Sequence, residues 1–217
     1  MTSKSKSKKV NKAWLHDHIN DPWVKLAQKE GYRARAAYKL KEIDDTLHLV
    51  RPGDCLVDLG CAPGAWCQYL RRKLGSSQGE LQGTLIGLDL LPMEPVEGVT
   101  FIQGDFRDEA VLGQLQAALG ERQADGVVSD MAPNLSGISS VDAAGVEHLI
   151  ELAVDFCVHH LKPNGFLVAK VFHGPAYNTA FDLFKAHFKQ VKAIKPKASR
   201  DRSAETFLIG MGLKTVA

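Results

Sequence analysis

Three stretches of the chain are apolar at nearly every position: "CLVDL" (55–59), "GTLIGLDL" (83–90) and "GFLVAKVF" (165–172). Runs this short, without polar alternation, predict strands of a parallel sheet that helices cover on both faces. "VTFIQGD" (99–105) and "DGVVSDM" (125–131) read the same way, and "VKAIKP" (191–196) and "ETFLIGMG" (205–212) predict two last strands. Between them the apolar positions recur at helical spacing. Asp21 and Pro22 mark a helix start and Gly31 its stop. A second helix is expected over about 34–48, with Ala36, Leu40, Ile43 and Leu47 on one face. Further helices fall on "GAWCQYLRRKLG", on "DEAVLGQLQAALG", and near 141–161 and 177–189. This alternation predicts an α/β fold: a doubly wound, mostly parallel, seven-stranded sheet of the Rossmann type.

Length sets the scale. A chain of 217 residues fills one well-buried α/β domain and is short for two. No internal repeat or second domain is visible, so residues 13–217 are expected to form one domain behind a disordered lysine-serine tail at 1–12. No apolar run approaches the ~18 residues of a membrane span. The N-terminus has lysines but no apolar segment behind them, so it is not a signal peptide. A cytoplasmic protein is the expectation. Cys55, Cys61, Cys67 and Cys157 lack metal-ligand spacing and are expected to be reduced packing residues, and neither they nor the scattered histidines predict a metal site.

Net charge is only +2, but it is unevenly spread. Residues 1–41 hold 11 lysines and arginines against three acids, Asp17, Asp21 and Glu30. Lys185, Lys189, Lys192, Lys195, Lys197, Arg200 and Arg202 form a second cluster opposed by Asp201. Two basic clusters flanking a more acidic middle favour a polyanionic partner over a merely solvated surface.

The loop "LGCAPGAW" after the first strand is built from Gly60, Ala62, Pro63 and Gly64. A glycine-rich turn there announces a nucleotide-like ligand at the carboxyl ends of the strands. The G-x-G-x-x-G fingerprint and the P-loop are both absent. Asp58, Asp89, Asp105 and Asp130 all fall at predicted strand ends, where they would repel phosphates. They suit S-adenosylmethionine, which has no phosphate and carries a sulfonium and an ammonium. Asp89 is placed for its ribose hydroxyls and Asp105 for its adenine amino group. "DMAPN" at Asp130 lacks the Asx-Pro-Pro-aromatic loop typical of amino methylation, so the acceptor is not an exocyclic amine.

One residue breaks the apolar pattern. Lys170 interrupts "GFLVAKVF", and an unpaired ammonium buried there would be costly. The reading preferred over snorkelling is that Lys170 points into the cleft beside Asp130 of the neighbouring strand. Lysines buried near another cation can serve as bases, and an alcohol must lose its proton to attack a methyl group.

Seven segments in order resemble the FtsJ-type ribose 2′-O-methyltransferases: "DPWVKLAQKEGYRARAAYKLKEID", "DLGCAPGAW", "GLDLLPM", "QGDFRD", "SDMAPNLSG", "VAKVF" and "SRDRSAETF". The similarity covers about 21–212 and is closest to the bacterial heat-shock members that methylate a uridine of 23S ribosomal RNA in the large (50S) subunit. It implies a Rossmann-like class I methyltransferase fold and S-adenosylmethionine as methyl donor. It implies a Lys-Asp-Lys-Glu catalytic set on Lys39, Asp130, Lys170 and Glu205, and cofactor positions on Gly60, Gly64, Trp66, Asp89, Asp105 and Asp130. Arg33, Arg35, Lys39 and Arg200 are the expected RNA contacts, with the helices of 13–50 facing the RNA, and the protein is expected to act as a monomer without metal. Ala65 stands where a second glycine is common and Phe207 replaces a frequent tyrosine, and neither change touches the catalytic set. Relatives also methylate transfer RNA or messenger caps. A non-catalytic RNA-binding assembly factor on the same fold is the alternative of another class.

Overall fold

The structure is a computed structural model that describes residues 20–133, 137 and 139–214. Two helices come first, α1 (Pro22–Glu30) and α2 (Ala37–Leu47). The chain then alternates β1 (Cys55–Leu59), α3 (Ala65–Lys73), β2 (Thr84–Asp89), β3 (Val99–Gln103), α4 (Glu109–Leu119) and β4 (Ala124–Ser129). It ends with α5 (Ser139–His160), β5 (Leu161–Phe172), α6 (Pro175–His187), β6 (Phe188–Ile194) and β7 (Glu205–Leu213). The tail at 1–12, with His16 and His18, lies outside the described residues.

The seven strands form one sheet in the order β3-β2-β1-β4-β5-β7-β6. The pairs among β1 to β5 are parallel, and β7 runs antiparallel to both β5 and β6. Chain direction across the sheet reverses between β1 and β4, which makes their carboxyl ends the switch point.

Burial follows the two sides of the pleat. Leu56, Val128, Val168, Phe207 and Ile209 face a core shared with α1, α2 and α3, including Ala27, Leu40, Ile43, Trp66 and Leu70. Val57, Leu59, Val127, Leu167 and Leu208 face the opposite core with α4, α5 and α6. The central strands β1 and β4 are buried almost throughout, as the apolar runs predict. The outer strands β3 and β6 are half open to solvent, because each lies at a sheet edge.

Local signals explain the ends. Asp21 caps α1 by accepting from Trp23 N (2.9 Å), and Gly31 closes it with φ +73°. Asp108 caps α4 by accepting from Ala110 N at 2.9 Å. Strand β5 begins at Leu161, four residues before the predicted start. Leu161 pairs with Ala124, the register then shifts, and pairing resumes at Phe166. Pro163 sits in that irregular stretch, where its missing N–H costs no ladder bond.

Candidate active site

A cleft of about 450 Å³ opens at the switch point. That volume lies within the ~300–1,000 Å³ of small-molecule sites. Its floor is the turn after β1, Gly60 and Ala62. One wall carries Asp89, Leu90 and Leu91 after β2, and another Gly104, Asp105, Phe106 and Arg107 after β3. Asp130, Met131 and Pro133 follow β4, and Gly145, His148 and Leu149 come from α5.

The floor is held by main-chain bonds to β2. Gly60 N donates to Leu88 O at 2.8 Å, and Ala62 N donates to Asp89 Oδ2 at 2.8 Å. Leu91 N donates to the other oxygen of Asp89, also at 2.8 Å. Each carboxylate oxygen keeps further acceptor capacity. Gly60 has φ +77°, and a Cβ there would fall 2.7 Å from Met131 Cγ, so only glycine brings the β1 turn against the β4 end.

The other predicted cofactor positions divide. Asp105 lines the cleft two residues past β3, and the Arg107 guanidinium grips its carboxylate at 2.6–3.2 Å. That side-chain contact holds Asp105 down to about 2. Gly64 (φ +105°) opens α3, and a Cβ there would fall 2.7 Å from Arg33 Nη1 and 2.8 Å from Met93 Sδ. The structure does not bring the Trp66 side chain to the cleft. It is buried on the α2 side, donating to Ala36 O at 2.7 Å and meeting Phe207 at 5.8 Å.

Asp58 also departs from its expected place. It lies inside β1, fully buried, and accepts from Cys67 Sγ of α3 at 3.2 Å rather than facing the cleft. Burial pushes this carboxyl up to about 7, despite the Cys67 contact, and Asp130 and Asp89 add to the rise. Its Oδ1 has no hydrogen-bond partner among the described residues.

At the inner end of the cleft, Lys170 Nζ donates to Asp130 O at 2.6 Å and lies 3.0 Å from Asp130 Oδ1. Only 9 % of the Lys170 side chain is exposed, so this is a paired, buried ammonium and not a snorkelling one. A second pair lies on the neighbouring strand: Lys39 Nζ of α2 sits 2.7 Å from both oxygens of Glu205 at the start of β7. Ser199 Oγ donates to Glu205 Oε1 at 2.8 Å. Burial raises Glu205, but Lys39, Ser199 and the nearby Lys170 charge outweigh it and hold the group below the usual range.

Register explains the meeting of the two pairs. Lys170 stands opposite Phe207 and Phe172 opposite Glu205 on the β5–β7 ladder, so Lys170 and Glu205 share one face two rungs apart. Lys39 Nζ stands 5.9 Å from the Phe207 ring centroid on that face. The arrangement can hold a hydroxyl among two ammoniums and two carboxylates.

The predicted RNA residues also divide. Arg33 is engaged inward: its guanidinium donates to Pro63 O (2.9 Å), Glu94 O (2.6 Å) and Pro95 O (2.8 Å). Sequence pattern could not show this, because all three acceptors are backbone carbonyls. Arg35 pairs with Asp21 and donates to Ala198 O. With Lys197, Ser199 and Arg200 it lines an open recess of about 530 Å³ behind Glu205. All four cysteines are buried and unpaired. Among the described residues no cluster could hold a metal ion, and no helix is long and apolar enough to cross a membrane.

A doubly wound sheet with a small-molecule cleft at its switch point and a lysine-carboxylate set beside it fits a methyltransferase. The profile of the FtsJ-like methyltransferases matches residues 32–213, and the chain belongs to that family. Its relatives include proteins named ribosomal RNA large subunit methyltransferase E. The one from Variovorax paradoxus is 69 % identical over 99 % of this chain and 98 % of its own length. The one from Paracidovorax citrulli is 68 % identical over 99 % of this chain and all of its own. Among solved structures, a ribosomal RNA methyltransferase from Plasmodium falciparum superposes with a TM-score of 0.73 at 27 % identity, covering 84 % of this chain and 98 % of its own. Fibrillarin from Aeropyrum pernix shares the fold, with a TM-score of 0.54 at 15 % identity over 75 % of this chain and 68 % of its own.

Proposed function

We propose that the chain transfers a methyl group from S-adenosylmethionine to the ribose 2′-hydroxyl of a uridine in 23S ribosomal RNA of the large subunit. The observation that carries this reading is the Lys170–Asp130 pair at the inner end of the cleft, facing Lys39–Glu205 on the adjoining strand. Relatives at 65–69 % identity bearing the large-subunit name support the substrate.

The cleft fits the donor. Its acids offer acceptors, the Arg107 cation on its wall is taken up by Asp105, and Leu88, Leu90, Leu91 and Phe106 give apolar walls for a planar base. Asp89 would hold the ribose hydroxyls and Asp105 the adenine amino group, with Gly60 and Asp130 closing the far end. Gly64 and Trp66 would shape the loop from behind. When bound, S-adenosylmethionine supplies a methyl group activated by its sulfonium.

The chain's own residues then orient the acceptor. Oxygen, methyl carbon and sulfur must be nearly collinear, so positioning and proton removal are the available help. Lys39 and Glu205 hold the ribose, and Asp130 fixes the Lys170 side chain. Lys170 would take the hydroxyl proton at Nζ after releasing the proton that its ammonium carries in the pair with Asp130. RNA would approach over α1 and α2, with phosphates near Arg35, Lys197 and Arg200. The chain would act as a monomer in the cytoplasm.

The test is substitution at Lys170. Lys170→Ala should fold and bind the methyl donor normally, yet lose methyl transfer by at least ~10²–10⁴-fold. Lys170→Arg should fail too, because a guanidinium does not give up its proton. An arginine variant with near wild-type turnover would show that the position supplies charge and not proton abstraction.

A further inference from the structure

A row of rings starts at His173, in the turn after β5, and runs down α6. His173 stacks on Tyr177 with centroids 4.7 Å apart and planes 26° apart, and Tyr177 continues to Phe181 at 6.1 Å and 10°. Lys185 Nζ closes the column 4.5 Å from the Phe181 centroid. Tyr177, Phe181 and Lys185 are spaced by four within α6 and share one face, and His173, in the turn before the helix, continues the row. Tyr177 and Phe181 are half-buried and pack against the core under α6, while His173 is exposed. A column braced at its base and open at its top is preorganised to receive another flat ring.

Its place narrows the occupant. His173 follows β5 directly, three residues after Lys170, and its N donates at 2.8 Å to the carbonyl of Ala204, the neighbour of Glu205. The exposed ring is therefore tied by backbone to both strands that carry the reacting groups. Beside it, Phe172, His173, Gly174, Pro175, Asp142 and Val146 line a groove of about 350 Å³. Asp142 makes this groove a poor phosphate site, whereas a base tolerates a carboxylate.

We propose that His173, backed by Tyr177 and Phe181, is a stacking shelf for the base flanking the methylated nucleotide. The proposal rests on the ribose-methylation reading, since it needs RNA whose ribose sits at Lys170. Stacked rings take any base, so the shelf would position the RNA strand and leave identification of the target to other contacts.

The experiment is steady-state methyl transfer to undermethylated large ribosomal subunits, with donor affinity measured separately by calorimetry. His173→Ala should raise KM for the subunit by about 5- to 100-fold, the loss of one base stack. Turnover at saturation and donor affinity should stay near wild type, and His173→Phe should restore KM. An alanine variant with wild-type KM, or a phenylalanine variant no better than alanine, overturns the shelf. A wild-type chain that binds subunits but transfers no methyl group overturns instead the functional reading on which the shelf stands.

Discussion

At the scale of single residues, the lysine in an apolar strand was the most legible signal. Lys170 lies third from the end of β5 with Asp130 3.0 Å away, as its place in the pattern suggested. Asp58 was less legible, because a strand-end acid in sequence does not show which face of the pleat it uses. In place it is a buried carboxyl raised to about 7, against an unfolded value near 4. As pH rises from 4 to 7 the unfolded chain gives up this proton before the folded one. Stability from Asp58 is therefore fully present below about pH 4 and is lost as pH climbs through 7, by on the order of 4 kcal/mol. Asp58→Asn removes the titration, so chemical denaturation should show less loss of stability across that window than in wild type. An unchanged slope would mean that Asp58 is ionised in the fold throughout.

At the scale of elements, the strand-helix alternation was readable to within a few residues because β1, β2 and β4 are buried on both sides. What the pattern missed are contacts made by backbone groups. Arg33 ties the turn between α1 and α2 to the loops after β1 and β2 through three carbonyls. Arg33→Ala should consequently weaken donor binding several-fold by calorimetry, about 1–2 kcal/mol for lost charged hydrogen bonds. An unchanged donor affinity with weakened RNA binding would return Arg33 to the RNA surface. Gly64 belongs to the same junction. Its φ of +105° strains any residue with a Cβ, and the Arg33 guanidinium and the Met93 sulfur would have to shift to admit one. Gly64→Ala should cost about 1–3 kcal/mol in thermal or urea unfolding. Trp66 shows the converse limit: its place in a motif did not reveal that its indole turns away from the cleft toward Ala36.

At the scale of the whole molecule, charge and fold point the same way. The recess with Arg35, Lys197 and Arg200 opens behind Glu205, so basic surface and reacting groups adjoin. RNA binding should fall steeply with salt, with a slope of roughly −0.7 per phosphate neutralised on a single strand. Donor binding, which involves no phosphate, should barely respond. Arg35→Ala with Arg200→Ala should flatten the RNA slope by about two phosphates' worth, and equal slopes would place the RNA elsewhere.

The central claim is that a lysine-carboxylate set beside the cleft activates a ribose hydroxyl of large-subunit RNA. The most direct measurement is transfer from S-adenosylmethionine carrying a labelled methyl group to undermethylated large subunits, with the modified atom mapped in the product. The account predicts label on one 2′-oxygen of a uridine for the wild-type chain and none for Lys170→Ala, with donor affinity equal in the two. Label on a base atom, or label on the ribose at wild-type rate in Lys170→Ala, would contradict it.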